Sequence, residues 1–367
     1  MLMIKMEKLA SVPWPRGLCF ANGKLLALGR GRPRGAGGPH PSIDDRAGTI
    51  FEIETSTGNI REFISPTDPP FHFWNRKLPN YDDIETDRPY AGLAWDANTQ
   101  NLFICGFSGI DKPSGAATAF RKNATDAVLR YDFRVGKWFE VERHDGSVVP
   151  ELIRRSITLN IPNYHYPSST GALPQGWLNG PNGLTVHGST LFVAGIANHS
   201  LVAYDLSPLI KDPAQGYLQG KVLRKDTRRV TLDAGVRDAF DAPSAIAIRD
   251  TYVYVSLRTP NLVLRFPLSG DYSTARVIAQ FPSGVGLIDM KFGKAGDLYV
   301  SSKRKRIWKV GKPDPDHPFQ GDASNVYAEL PGNCANIALG KEDRLYVCCN
   351  VDGGAIYRQI KQEKVQS

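Results

Sequence analysis

"GPNGLTVHGSTLFVAGIANHSLVAYDL" spans Gly180 to Leu206. Small turns at Gly188–Ser189 and Ala197–His199 divide it into two short apolar strands and most of a third. The same pattern recurs along the chain. Its first strand, GLTV at Gly183, has counterparts in GLCF (Gly17), GLAW (Gly92), AIAI (Ala245), DMKF (Asp289) and NIAL (Asn336). A second series reads KLLALG (Lys24), NLFICG (Asn101), TLFVAG (Thr190), YVYVSL (Tyr252), DLYVSS (Asp297) and RLYVCC (Arg344). A third reads TIFEIE (Thr49), VLRYDF (Val128), LVAYDL (Leu201), LVLRFPL (Leu262), RIWKV (Arg306) and AIYRQI (Ala355).

A more variable fourth series reads NIREFIS (Asn59), KWFEVER (Lys137), KVLRKDTRRVTL (Lys221), ARVIAQF (Ala275) and NVYAEL (Asn325). The last unit lacks this strand. The opening residues MIKMEKLA supply it, because apolar Ile4 and Met6 alternate with charged Lys5 and Glu7 as in a half-buried strand. Repeated four-stranded meanders predict an all-β, six-bladed β-propeller, its ring closed by the N-terminal strand at about 1–11. The near-continuous apolar second strands fit blades covered on both faces. No linker-like shift in composition divides the chain, so 1–367 reads as one domain.

The unit starts are 75, 91, 62, 44 and 47 residues apart. The early units therefore carry insertions, at about 29–48, 65–90, 107–126 and 144–180. One holds Arg30, Arg32 and Arg34 among glycines and reads as a flexible basic loop or an arm for an anionic surface. Two hold aromatics: Phe71, Phe73, Trp74 and Tyr81, then Tyr164, Tyr166 and Trp177 beside His165. These read as packing over one end of the central channel, where they would roof a small-molecule site, or as a contact surface for a partner.

Composition excludes several classes. No apolar run approaches the ~20 residues of a membrane span. The N-terminal residues lack the apolar stretch of a secretory signal. Five cysteines without C-x-x-C spacing argue for reduced thiols, a cytoplasmic setting and no zinc site. A formal charge of +8 on 367 residues is too mild to imply nucleic acid. Lys303 to Arg306 read as a solvated basic hairpin. The pattern Asn-x-Ser/Thr at Asn123 and Asn198 carries no weight without a secretory signal.

The residue ahead of each first strand points toward the ring axis. These are Arg16, Ala91, Asn182, Ser244, Ile288 or Asp289, and Ala335. Here PNGL at Pro181, NCANIALGKEDRLYV at Asn333 and the GxLYV pattern of the second strands resemble the gluconolactonase and regucalcin group and its NHL-like relatives. The resemblance implies a divalent cation such as calcium on the axis, held by a Glu, an Asn and an Asp, that polarises a lactone or ester carbonyl. Carried over, Asn182 matches the Asn, Arg16 stands where the Glu belongs, and Asp289 meets the Asp position only if its strand begins with a bulge. An Arg repels a hard cation, so the full ligand set is not expected. Arg16 beside Asn182 and Ser244 suits instead a carboxylate or phosphate on a small ligand.

Two functions stay open. One is a lactonase- or esterase-like hydrolase with Asp289 and Asn182 as catalytic or metal-binding groups, and Arg16, Ser244, Asn336 and His199 around the substrate. The other is a non-catalytic scaffold that binds a protein partner through the long early loops.

Overall fold

The computed structural model describes residues 3–29, 49–64, 90–106, 127–139, 158–160, 181–196, 199–213, 217–224, 228–233 and 235–360. Six antiparallel sheets form six blades, each led by an inner strand. The inner strands are Pro15–Ala21, Tyr90–Asp96, Pro181–His187, Pro243–Arg249, Leu287–Phe292 and Asn333–Leu339, for blades one to six. Each touches the next, and the sixth touches the first, so the ring is closed. The fold is the expected six-bladed propeller. The aromatic insertions, the Arg30–Arg34 loop, and Asn123 and Asn198 lie outside the described residues.

Burial follows the repeat. The second strands Lys24–Gly29, Thr190–Gly195 and Tyr252–Leu257 are buried at every position after the first, because a blade lies on either side. Fully burying one Leu or Val side chain contributes about 1.5–3 kcal/mol. Five apolar clusters fill the space within and between blades.

The seam is closed as the alternation in MIKMEKLA suggests. Met6–Ala10 pairs antiparallel with Ala355–Gln359, setting Met6 against Gln359, Lys8 against Tyr357 and Ala10 against Ile356. Ile4, Met6 and Tyr357 pack on one apolar cluster. Arg358 Nε lies 2.6 Å from Glu7 Oε1, and its Nη1 donates to Thr55 O at 2.6 Å, tying the last blade to the first.

Blade three departs from expectation. Its outer strand is Tyr217–Arg224, four residues ahead of the Lys221 start. Arg229–Leu232 instead forms a separate hairpin with Gly235–Asp238. Val230, Leu232 and Phe240 pack with Phe266 and Tyr272 of the fourth unit, and this burial holds the hairpin away from its parent sheet. Blades three and four each gain a short fifth strand, Thr158–Asn160 and Phe319–Gln320, paired parallel on the outer edge.

The candidate site at the bulge end of the channel

Every inner strand begins with a β-bulge. In blade one Pro15 faces Gly29 and Gly17 faces Leu28, which leaves Arg16 as the extra residue. The same step makes Asn182, Ser244 and Ile288 the extra residues of blades three, four and five. In blade two, Ala91 and Gly92 lie between the pairs Tyr90–Gly106 and Leu93–Ile104. In blade six, Ala335 and Asn336 lie between Cys334–Cys349 and Ile337–Val347. The bulges stack at one end of the ring because the strand that follows runs away from it. The turns between second and third strands lie at that same end, as do the strand ends flanking 30–48, 65–89 and 107–126.

The bulge does occur in blade five, but it occurs in all six. Ile288 therefore takes the ring position of Arg16 and Asn182, while Asp289 sits one residue further, level with Gly17, Gly92, Gly183, Ala245 and Asn336. Side chains at this second level point at the next blade. A Cβ on Gly92 would lie 2.6 Å from Asn182 O, and one on Gly183 would lie 2.5 Å from Ala245 Cα. Glycine at these levels lets neighbouring inner strands approach backbone to backbone.

Blades three to six are stitched together here by side chains. Asn182 Nδ2 donates to Ser244 O at 2.7 Å, and Ser244 Oγ donates to Leu287 O at 3.0 Å. Ser301 Oγ donates to Ala335 O at 2.8 Å. Asp289 Oδ2 accepts from Ile337 N at 3.0 Å, and its Oδ1 accepts from Met290 N at 2.8 Å. Lys291 Nζ lies 3.0 Å from the same Oδ1. Bulged backbone leaves groups unpaired within its own sheet, and these bonds satisfy them from the blade alongside.

Arg16 is half-buried. Burial pushes the Cys348 thiol well up; nearby Asp289 raises it further and Arg16 opposes the rise. Both charges thus act on one thiol in blade six, whose Sγ lies 3.8 Å from Gly17 O. Lys291 was absent from the sequence-based candidates. It lies three residues past the bulge, level with Cys19, Ala94, Thr185, Ala247 and Ala338. Its signal was there to be read once Ile288 is aligned with Arg16: every other residue at that level is small.

His199 stands apart from the ring. It occupies a turn with φ of 53° at the rim between blades three and four. Its Nδ1 lies 3.2 Å from Asp241 Oδ1 and 3.3 Å from Ala242 N, and Arg228 Nε lies 3.3 Å from its Nε2. Asn336 is buried at the second level of blade six.

These side chains do not fit a divalent cation. Arg16 brings positive charge to one expected ligand position, and apolar Ile288 fills another. The Asp289 carboxylate is engaged by Lys291 and two backbone N–H groups. A hard cation needs several uncommitted oxygen ligands. Among the described residues, no three His, Cys, Asp or Glu side chains gather at one point. Also among them, no helix is long and apolar enough to cross a membrane.

No protein-family model and no curated protein matches this sequence. Solved structures do match. A gluconolactonase from Xanthomonas campestris is 15% identical, with a TM-score of 0.53 over 98% of this chain and 90% of its own. Regucalcin from Agrobacterium tumefaciens, a calcium-binding protein, is 12% identical, with a TM-score of 0.52 over 98% of this chain and 95% of its own. A luciferin-regenerating enzyme is 10% identical, with a TM-score of 0.51 over 98% and 95%. At these identities the likeness concerns the fold.

Proposed function

We propose that this protein hydrolyses a small lactone- or ester-type molecule held at the bulge end of the channel. One observation carries the reading: Asp289, a buried carboxylate, shares with Arg16, Asn182, Ser244 and Asn336 the bulged end of the ring, where the long early connections attach. The gluconolactonase of the same fold lends the substrate class.

In this reading Arg16 anchors the substrate and Asp289 is the base. A carboxylate offers about four acceptor directions, and three here are occupied. The fourth takes a proton from water as that water attacks the carbonyl carbon. The carbonyl carbon to ring-oxygen bond then breaks, and the proton passes to the departing alkoxide, giving a hydroxy acid. Asn182 has one amide N–H engaged by Ser244 O, which holds the side chain in place and leaves its second N–H for substrate.

The test is hydrolysis of γ-lactones, δ-lactones and aryl esters followed by pH-stat. Asp289→Asn is expected to lower kcat/KM at least about 100-fold. Native protein no faster than buffer on the whole panel, or no faster than the variant, would overturn the reading.

A further inference from the structure

Lys291 is the long side chain of its level. Its five counterparts are Cys19, Ala94, Thr185, Ala247 and Ala338, all small. That arm turns back toward the bulge end, because its Nζ meets Asp289 Oδ1, two residues nearer the bulge, at 3.0 Å. The Lys291 side chain keeps 27% exposure, whereas that of Asp289 keeps 3%. The carboxylate is thus sunk against blade six while the ammonium still reaches solvent. Lys291 also acts on the Cys19 thiol, two blades away around the ring.

Arg16, Asp289 and Lys291 together carry one net positive charge. Among the described residues, the turns of blades four and five at the bulge end hold Arg258, Lys303, Arg304 and Lys305, and Asp241, Glu329 and Asp352 lie at the same end. Low-dielectric walls with one sign of charge concentrate counter-ions at a cleft.

We propose that Lys291, aimed by Asp289 and joined by Arg16, is the fixed cation of this channel and recognises the carboxylate of a small organic acid. The inference deepens the hydrolase reading by giving the substrate a charge, and it rests on that reading only for the end of the channel concerned. An ammonium on a four-carbon stem and a planar guanidinium are complementary partners for a carboxylate: one is a point charge, the other a fork. Supplied by the chain, this positive charge would stand in for the metal ion that the resemblance implies.

The experiment is isothermal titration of the full chain with malonate in EDTA, with inorganic phosphate and uncharged malonamide as parallel probes. Malonate is expected to bind, malonamide to fail, and added NaCl to weaken binding. Lys291→Met and Arg16→Gln are each expected to weaken malonate at least about 10-fold, and Lys291→Arg to retain most of it. Circular dichroism checks each fold. Should Lys291→Met not fold, the half-buried Arg16→Gln and the salt series decide. No malonate binding, equal binding of malonamide, a preference for phosphate alone, or unchanged affinity in Arg16→Gln and in a folded Lys291→Met would each overturn the proposal. Binding without turnover of any lactone would keep this inference and sink the hydrolase. Equal hydrolysis of neutral and acidic lactones, undiminished in Lys291→Met, would do the reverse.

Discussion

Asp289 of blade five accepts a 3.0 Å hydrogen bond from the backbone N–H of Ile337 in blade six. One carboxylate therefore bridges two sheets that share no ladder, at the point where the bulge of blade six breaks its own pairing. The atoms of the candidate site thus also hold the ring together.

Removing that carboxylate should be felt as instability. Asp289→Ala strands the Ile337 N–H and strips Lys291 of its partner, so a loss of about 3 kcal/mol is expected. Asp289→Asn keeps an acceptor and should cost about half as much. Urea denaturation at pH 7 measures both, and two variants within 0.5 kcal/mol of native protein, on the scale expected for inconsequential surface changes, would show that the bridge is idle.

Close approach of inner strands makes a second prediction. Gly183→Ala places a methyl carbon 2.5 Å from Ala245 Cα and 2.7 Å from Ser244 O, both backbone atoms. Neither can rotate aside, so overpacking should cost about 1–3 kcal/mol. Gly188, at a turn where an added Cβ meets nothing within 4 Å, is the comparison for strain from its φ of +58° alone. A melting temperature for Gly183→Ala equal to that of native protein would contradict the ring geometry.

The third concerns the seam. Deleting residues 1–11 uncovers the full edge of Ala355–Gln359 and the apolar surface under Ile4 and Met6. The shortened chain should aggregate, and a synthetic peptide of residues 1–12 should restore its solubility by strand addition. A truncated chain that stays monomeric and melts normally would mean that the last blade stands without its borrowed strand.

The fourth is a pH dependence. Burial pushes the thiols of Cys19 and Cys349 up to about 12 and about 11 from 9.0. Above pH 9 the unfolded chain loses these protons while the native one keeps them. Unfolding then becomes easier as pH rises, by about 1.4 kcal/mol per pH unit per thiol, up to about pH 11 for Cys349 and about 12 for Cys19. The urea midpoint should fall between pH 8 and 10.5, and a Cys19→Ala, Cys349→Ala double variant should fall less steeply. At pH 8 the native protein should resist thiol labelling and release all five cysteines in urea.

The blades were legible because each repeats the same alternation, and a half-buried strand can hardly be written otherwise. MIKMEKLA could be assigned to the far end of the chain because AIYRQI lacked a partner. LRKDTRR misleads because it has no alternation to mark where Tyr217–Arg224 stops, and RVTL alternates on behalf of a separate hairpin. Thr158–Asn160 and Phe319–Gln320 left no trace, since two or three residues in a parallel edge pair need no pattern of their own. That Arg16, Asn182 and Ser244 share one level of the ring was legible from their place before a strand. Lys291 was not, because a lysine inside DMKF looks like any strand residue until the bulge shows which way it faces.

Ile360 donates its backbone N–H to Lys5 O at 3.1 Å. Entry to and exit from the folded ring are thus one peptide width apart. A short linker across that gap would make a covalent circle, and the circle could be reopened at Gly188 or Asn22, in tight turns on the face opposite the bulges. Such a permuted chain would inherit every blade contact in a new order of synthesis, so the order of translation is separable from the architecture it produces.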